Sequence, residues 1–314
     1  MNLQQMRYVL EVARRGLNIS DAALALHTSQ PGVSKQIRLL EEELGVDIFV
    51  RQGKRLTGIT EPGRQVVDIA ARMLQDVGNL RGIGAEYCNE ATGRLAIATT
   101  HTQARYVLPP VISRFMRAYP GVRVSLHQGN PTQVCEYVRA GEADLAIATE
   151  AIGEQQDMVM LPCYQWNRVL IAPARHAILK AQPLTLAEIA RHPIITYDSA
   201  FAGRSQVNHA FTARGLTPNV VLSAIDADII KTYVALGLGV GIIASMAFDA
   251  KQDKGLRALD VAHLFESAMT RIGIMRNAYL RGYAYAFIEM FAPQLTRKTI
   301  AGVMAGEQGS DVGL

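Results

Sequence analysis

Apolar residues recur at three- and four-residue steps through the first 60 positions of the chain. Leu3, Met6, Leu10 and Ala13 form one such series and Val33, Ile37, Leu40 and Leu44 another, with the small residues of "DAALALH" between them. This period predicts three short helices. Gly16 ends the first, and Asn18 or Ser20 caps the second. The third carries Pro31 in its first turn, where a missing N–H breaks no hydrogen bond. Opposite its apolar stripe stand Gln30, Ser34, Lys35 and Arg38, followed by the acidic run Glu41, Glu42 and Glu43. The donors and the positive end of the helix dipole thus share the first half, while the acids lie where the helix would leave an inserted polyanion. An i,i+4 pair between Arg38 and Glu42 is the plainer alternative.

The period then shortens to two. "DIFVRQGKRLTGIT" alternates around a glycine turn and predicts a two-stranded wing, with Arg51, Lys54 and Arg55 within five positions. Two helices joined by a tight turn, the second polar and basic on one face and followed by a basic hairpin, predict a winged helix-turn-helix. From Thr60 the helical period returns, with Thr60 as cap and Pro62 in the first turn. Val66, Ile69, Met73, Val77, Leu80, Ile83 and Tyr87 follow at three- and four-residue steps. Such a helix runs roughly 40 Å, and its stripe predicts dimerisation against a second copy. Gly78, Gly82 and Gly84 weaken its far end.

Beyond residue 91 strands and helices alternate. "RLAIATT", "VRVSLHQG", "ADLAIATE", "PIITYD", "NVVLSA", "VGIIAS" and "TRIGIMR" predict strands, and the intervening stretches predict helices. This is an α/β pattern with parallel sheets, whose ligand sites lie at the carboxyl ends of strands. The end of the chain after about Thr299 predicts a disordered tail.

Composition narrows the picture without deciding it. With 49% hydrophobic and 19% charged residues, the chain has the balance of a soluble multi-domain protein. A net charge of +4 permits nucleic acid without demanding it. Cys88, Cys135 and Cys163 form no CxxC pair and are odd in number, so buried thiols in a reducing cytoplasm are expected rather than zinc or disulfides. The N-terminus lacks a signal-peptide core, and the most apolar run, "LGLGVGIIASMAF", is too short to span a bilayer. A cytoplasmic protein with no membrane partner follows. No P-loop, G-x-S-x-G, H-E-x-x-H or dinucleotide fingerprint is present. Neither a catalytic residue, a metal ligand nor a cofactor is therefore expected.

Three strand ends carry clustered small polar residues. They are "ATTHTQ", with Thr99, Thr100, Thr102 and Gln103; "LAIATE", with Thr149; and "YDSAFAGRSQ", where Gly203 allows close backbone approach. Each threonine alone reads as a helix cap. Together they predict a site for a small anionic or zwitterionic ligand, held by hydroxyls and free N–H groups without a formal charge. Trp166, the only tryptophan, is either a core residue or a pocket wall. A ligand-controlled DNA-binding protein is the leading reading. A solute-binding protein sharing only the α/β half and an enzyme working in the cleft are its rivals.

"SQPGVSKQIRLLEEELGVDIFVR" followed by "LTGITEPG" resembles the winged-helix signature of LysR-type transcriptional regulators. "TTHTQARYVLP", "CYQWNR" and "DADIIKTYVALGLGVGIIASMA" resemble the CysB-type members, which control cysteine biosynthesis. The resemblance covers Met1 to about Arg297. It implies a winged helix over residues 1–60, a dimerising linker helix over 61–90 and an effector domain over 91–300, with a tail at 301–314. The effector domain would comprise two Rossmann-like, periplasmic-binding-protein-like halves, one of about 91–162 with 267–300, the other of about 163–266. Crossover strands fall near 161–165 and 265–270. The implied partners are double-stranded promoter DNA, further copies in a dimer or tetramer, and RNA polymerase. The implied effector is N-acetylserine or O-acetylserine, or a sulfate-like anion such as sulfate or thiosulfate. Gln30, Pro31, Ser34, Lys35, Arg38, Arg51, Lys54 and Arg55 fall at the DNA. Thr100, Thr102, Gln103, Thr149, Trp166, Ala202 and Gly203 fall at the effector. The loop usual in such proteins, "GFTGRS", here reads "AFAGRS", so Ala202 removes one hydroxyl donor. A regulator of sulfonate use or sulfate starvation, answering to adenosine phosphosulfate, stays open beside the cysteine reading.

Overall fold

The structure is a computed structural model describing residues 1–53, 55–88, 92–149, 157–199 and 204–305. Lys54, Ala202, Gly203 and the last nine residues, and the side chains of Tyr87 and Cys88, lie outside what it describes. Two compact units result, one of Met1–Gly84 with Asn277–Tyr279, the other of the remaining chain.

In the first unit, α1 (Leu3–Arg14) opens on a capping box between Asn2 and Gln5. Asn18, not Ser20, caps α2 (Ile19–Ala25), accepting from the N–H groups of Ser20 and Asp21. Ser29 caps α3 (Gln30–Leu44), and Gly45 ends it at φ 70°, where a side chain would be strained. The wing consists of β1 (Phe49–Gln52) and β2 (Arg55–Ile59), paired antiparallel. Val9, Val12, Val33, Ile37, Leu40, Ile48 and Phe49 form the buried core.

Two expectations change here. Leu44 is 39% exposed, and the inner stripe of α3 instead continues from Leu40 to Glu41, which is 5% exposed. Gly45 turns the chain directly after Leu44, so position 41 rather than 44 faces the wing. The long helix α4 (Glu61–Cys88) forms as expected, but its stripe is not wholly without a partner. Val66, Val67, Met73 and Leu74 pack on the core of the winged helix, and Ala70 is buried within it. Ile69 and Leu80 remain exposed, at 46% and 69%.

The second unit holds two five-stranded sheets. One comprises β3 (Thr92–Thr99), β4 (Gly121–Gln128), β5 (Leu145–Thr149), β6 (Met158–Trp166) and the late strand β12 (Ala268–Met275), in the order β4-β3-β5-β12-β6. The other comprises β7 (Arg168–Pro173), β8 (Ile194–Tyr197), β9 (Val220–Ala224), β10 (Val240–Ala244) and β11 (Leu256–Asp260), in the order β11-β7-β10-β8-β9. Helices α5 (Leu108–Ala118), α6 (Pro131–Arg139), α7 (Leu186–Ala190), α8 (Arg204–Thr212), α9 (Ala227–Ala235), α10 (Gly282–Phe291) and α11 (Arg297–Met304) connect or follow these strands. The chain therefore passes between sheets twice, after Trp166 and before Ala268.

Those crossings make the sheets mixed rather than purely parallel. β3 is parallel to β4 and β5, but β12 runs antiparallel to β5 and β6. β7 likewise runs antiparallel to β10 and β11. A strand entering a sheet from the other half carries no crossover helix of its own, so nothing forces it to be parallel. The expected tail also starts as structure. Thr296 caps α11, and Ile300 is fully buried and pins it.

Cys135 and Cys163 are buried free thiols. Burial raises both, Cys163 to about 12, so each stays neutral near pH 8. Neither should react with a water-soluble disulfide reagent at pH 8 until denaturant is added. Peptide-level mass spectrometry checks this, and rapid labelling of either in the folded chain contradicts its burial.

Candidate functional sites

On the winged helix, Gln30, Pro31, Lys35 and Arg38 are exposed along the first half of α3, and Ser34 is half-buried beside them. Arg55 is exposed on β2. Among the described residues, Lys35, Arg38 and Arg55 make no ion pair; in particular Arg38 does not pair with Glu42. Their charges remain available to a polyanion. Arg51 behaves differently. Its Nη2 lies 2.5 Å from Glu41 Oε2, and Nη1 lies 3.9 Å from Asp47. Glu41 Oε1 accepts from the N–H groups of Ile48 at 2.8 Å and Phe49 at 3.2 Å. The first acid of the run is thus a buried clamp on the wing, and only Glu42 and Glu43 are solvated.

The second site is built on the carboxyl ends of β3 and β5 and the start of β12, which meets them head-on because it is antiparallel. Thr99 is fully buried and donates to the Ile147 carbonyl at 2.9 Å. Thr100 and Thr149 are buried at their strand ends, and Thr149 sits opposite Thr270 in the sheet register. After β3 the chain forms a π-helical turn, Gln103–Val107, a geometry found often at functional sites. Gln103 is 1% exposed, and its amide is engaged at both ends. Its Nε2 donates to Thr270 Oγ1 at 3.1 Å, and Tyr164 donates to its Oε1 at 2.5 Å. Trp166 Nε1 also donates to Thr270 Oγ1, at 3.2 Å. Thr270, Tyr164 and Trp166 therefore form one network with Gln103.

Thr102 reaches the other half of this unit. It lies beside the hydroxyl of Tyr197 at the end of β8, which accepts from Ala244 N–H at 3.3 Å. Burial raises the Tyr197 phenol, opposed by the Ala244 N–H, by Thr102 and by the charge of Arg168. Arg168 is 3% exposed, donates to the Glu266 carbonyl and to Gln206, and lies 5.5 Å from the Trp166 ring. Arg168 thus sets a formal positive charge near the Tyr197 hydroxyl and the Trp166 ring. The same π-helical turn spans to α9, where Tyr106 donates to Asp228 at 2.7 Å and Arg105 at 3.3 Å. Burial, then the Asp228 bond, raises Tyr106 far above an ordinary phenol.

The sequence reading missed Thr270, Tyr164, Tyr197, Arg168 and Asp228. Only the alternation of Tyr164 with Trp166 on one strand face hinted at a shared environment. The remaining partners are more than 60 positions from Thr102 in sequence and become neighbours through the two crossings. His101, Asp226 and Asp228 lie close enough to suggest a cation site. Lys231 at 3.1 Å from Asp228, with Arg105, already balances that charge.

A winged helix joined to a long helix, followed by a two-sheet domain with polar side chains gathered at its strand ends, defines a ligand-responsive DNA-binding regulator. Residues 3–64 match the bacterial regulatory helix-turn-helix protein model of the lysR family, and residues 89–296 match the LysR substrate binding domain. The chain belongs to the LysR family of transcriptional regulators. It is 52% identical over 304 residues to the HTH-type transcriptional regulator SsuR of Burkholderia cenocepacia, covering 97% of this chain and 99% of that one. It is also 52% identical over 310 residues to CysB of the same organism, covering 99% of each. Among solved structures, the cofactor-binding domain of the Cbl transcriptional regulator superposes with a TM-score of 0.66 at 40% identity, covering 69% of this chain and 95% of that one. Among the described residues, no helix is long and apolar enough to cross a membrane.

Proposed function

We propose that this protein is a cytoplasmic regulator, not an enzyme, that binds promoter DNA as a dimer or tetramer and controls sulfur assimilation and cysteine biosynthesis genes. Its effector is a small anionic or zwitterionic sulfur-pathway compound held between the two sheets. The hydroxyls of Thr100, Thr102 and Thr149 at neighbouring strand ends, with buried Arg168 against Trp166 and near Tyr197, carry this reading. Gln103 and Trp166, whose polar atoms are already paired, form the floor beneath the ligand. The likeness to both CysB and SsuR supports the sulfur context. The same 52% identity to SsuR supports a second reading equally, a sulfonate or sulfate-starvation regulator answering to adenosine phosphosulfate. RNA polymerase is the partner through which either would act.

A gel shift on the region upstream of its own and neighbouring genes, with and without N-acetylserine, adenosine phosphosulfate and sulfate, separates these readings. A response to none of the three counts against the sulfur assignment. A hydrogen bond to a charged group is worth about 1.5–3 kcal/mol. Thr102→Ala should accordingly weaken the active compound by roughly 10- to 150-fold in calorimetry. Unchanged affinity places the ligand elsewhere.

A further inference from the structure

The recognition helix and the linker helix are joined through one residue, Ile48. The N–H of Ile48 donates to buried Glu41 on α3 at 2.8 Å. The Ile48 carbonyl accepts from the Thr60 N–H at 3.0 Å, and the Thr60 hydroxyl donates to the Asp47 carbonyl and, at 3.3 Å, to that of Ile48. Thr60 Oγ1 in turn accepts from Gly63 N–H at 2.9 Å, opening α4. Gly63 packs directly on this junction, for a Cβ there would stand 2.0 Å from the Ile48 carbonyl oxygen. Hydrogen bonds weaken steeply when bent, so this relay fixes a direction, which apolar contacts alone would not.

Glu41 stands at the head of the relay, and Arg51 supplies its counter-charge. A buried carboxylate deprived of its cationic partner is strongly disfavoured. We propose that Glu41 is a positioning residue. It sets the angle of the recognition helix to the linker helix, and with it the spacing of the two DNA half-sites the regulator accepts. Arg51 serves DNA binding by holding Glu41, not by gripping a phosphate.

The test uses the full chain and duplexes that the wild-type protein selects from a randomised pool, re-synthesised with half-site spacing changed in single base-pair steps. Affinity is measured by fluorescence anisotropy from 50 to 200 mM salt for Glu41→Gln, Arg51→Met and Arg55→Ala, with thermal unfolding to verify folding. Losing a phosphate contact reduces the salt slope by about 0.9, and Arg55→Ala should show this step. Arg51→Met should lower affinity about tenfold with the slope unchanged. Glu41→Gln should lose about tenfold at the preferred spacing and less at neighbouring ones, flattening the preference. Arg51→Met, which keeps both backbone bonds to Glu41, should flatten it too and carries the test alone if Glu41→Gln does not fold. A slope reduced by Arg51→Met as much as by Arg55→Ala overturns the proposal. So does an equal loss at every spacing, or no loss at all, in the folded variants. The spacing readout rests on the dimer proposed above. If the wild type shows no spacing preference, that dimer reading fails, while the slope comparison still judges the role of Arg51.

Discussion

Gly63→Ala should unfold the DNA-binding unit well below the melting temperature of the wild type. The added methyl would meet the Ile48 carbonyl oxygen at 2.0 Å, its carbon at 2.8 Å and Thr60 Oγ1 at 2.8 Å. Two of these atoms are backbone, held by the Glu41 and Thr60 bonds, so no side chain can rotate away. Intrinsic helix propensity opposes the effect, since alanine is favoured over glycine by about 1 kcal/mol within a helix. Overpacking against fixed backbone exceeds that gain, and a net cost above about 3 kcal/mol is expected. In a unit of this size each kcal/mol moves the midpoint by about 4–8 °C, so the transition should fall by at least about 12 °C. Differential scanning calorimetry of the full chain resolves it if the effector domain melts separately. DNA affinity, followed by anisotropy, should vanish with the same midpoint. A raised midpoint would mean that propensity wins and that α4 does not lie against Ile48 as described.

That contact was invisible in the sequence, although its ingredients were legible. The helix-turn-helix, the wing and the long helix each announce themselves through local periodicity and capping, and Thr60 and Pro31 act where the spacing places them. Glu41 misled because periodicity distinguishes faces, not partners. An acid next to two other acids looks solvated unless the returning strand that buries it is known. Leu44 failed for the complementary reason, since the turn at Gly45 releases it from the face its spacing assigns. In the effector domain the strand ends bearing Thr100, Thr102 and Thr149 were readable because βα turns are local. Arg168, Tyr197 and Thr270 were not, because only the chain crossings bring them near. β7 and β11 escaped the strand reading, and β6 entered it only through the resemblance, as a crossover strand near 161–165. Pro162 interrupts the pattern of β6, and nothing local marks β7 and β11 as strands of a mixed sheet.

The second large effect concerns assembly, and the structure moves its target. Met73 packs on the core of the winged helix, so an acidic residue there would unfold the domain and say nothing about association. The outward seam of α4 runs instead through Ile69, Asp76, Leu80 and Ile83, spaced close to the 3.5-residue period of paired helices. Leu80, 69% exposed, is the largest apolar group on it with no cover among the described residues. Asp76 in the middle of the seam would fix register at some cost in stability, as single polar residues do in coiled coils. Leu80→Asp should therefore give monomers in light scattering with an unchanged thermal midpoint for the DNA-binding unit. Binding to a duplex with two half-sites should fall by about 10²- to 10⁴-fold, because the second recognition helix loses its effective concentration. Binding to a single half-site should hardly change, since α3 and its wing are untouched. A Leu80→Asp protein that remains dimeric and keeps its two-site affinity would remove this seam from the assembly and leave the helix a spacer only.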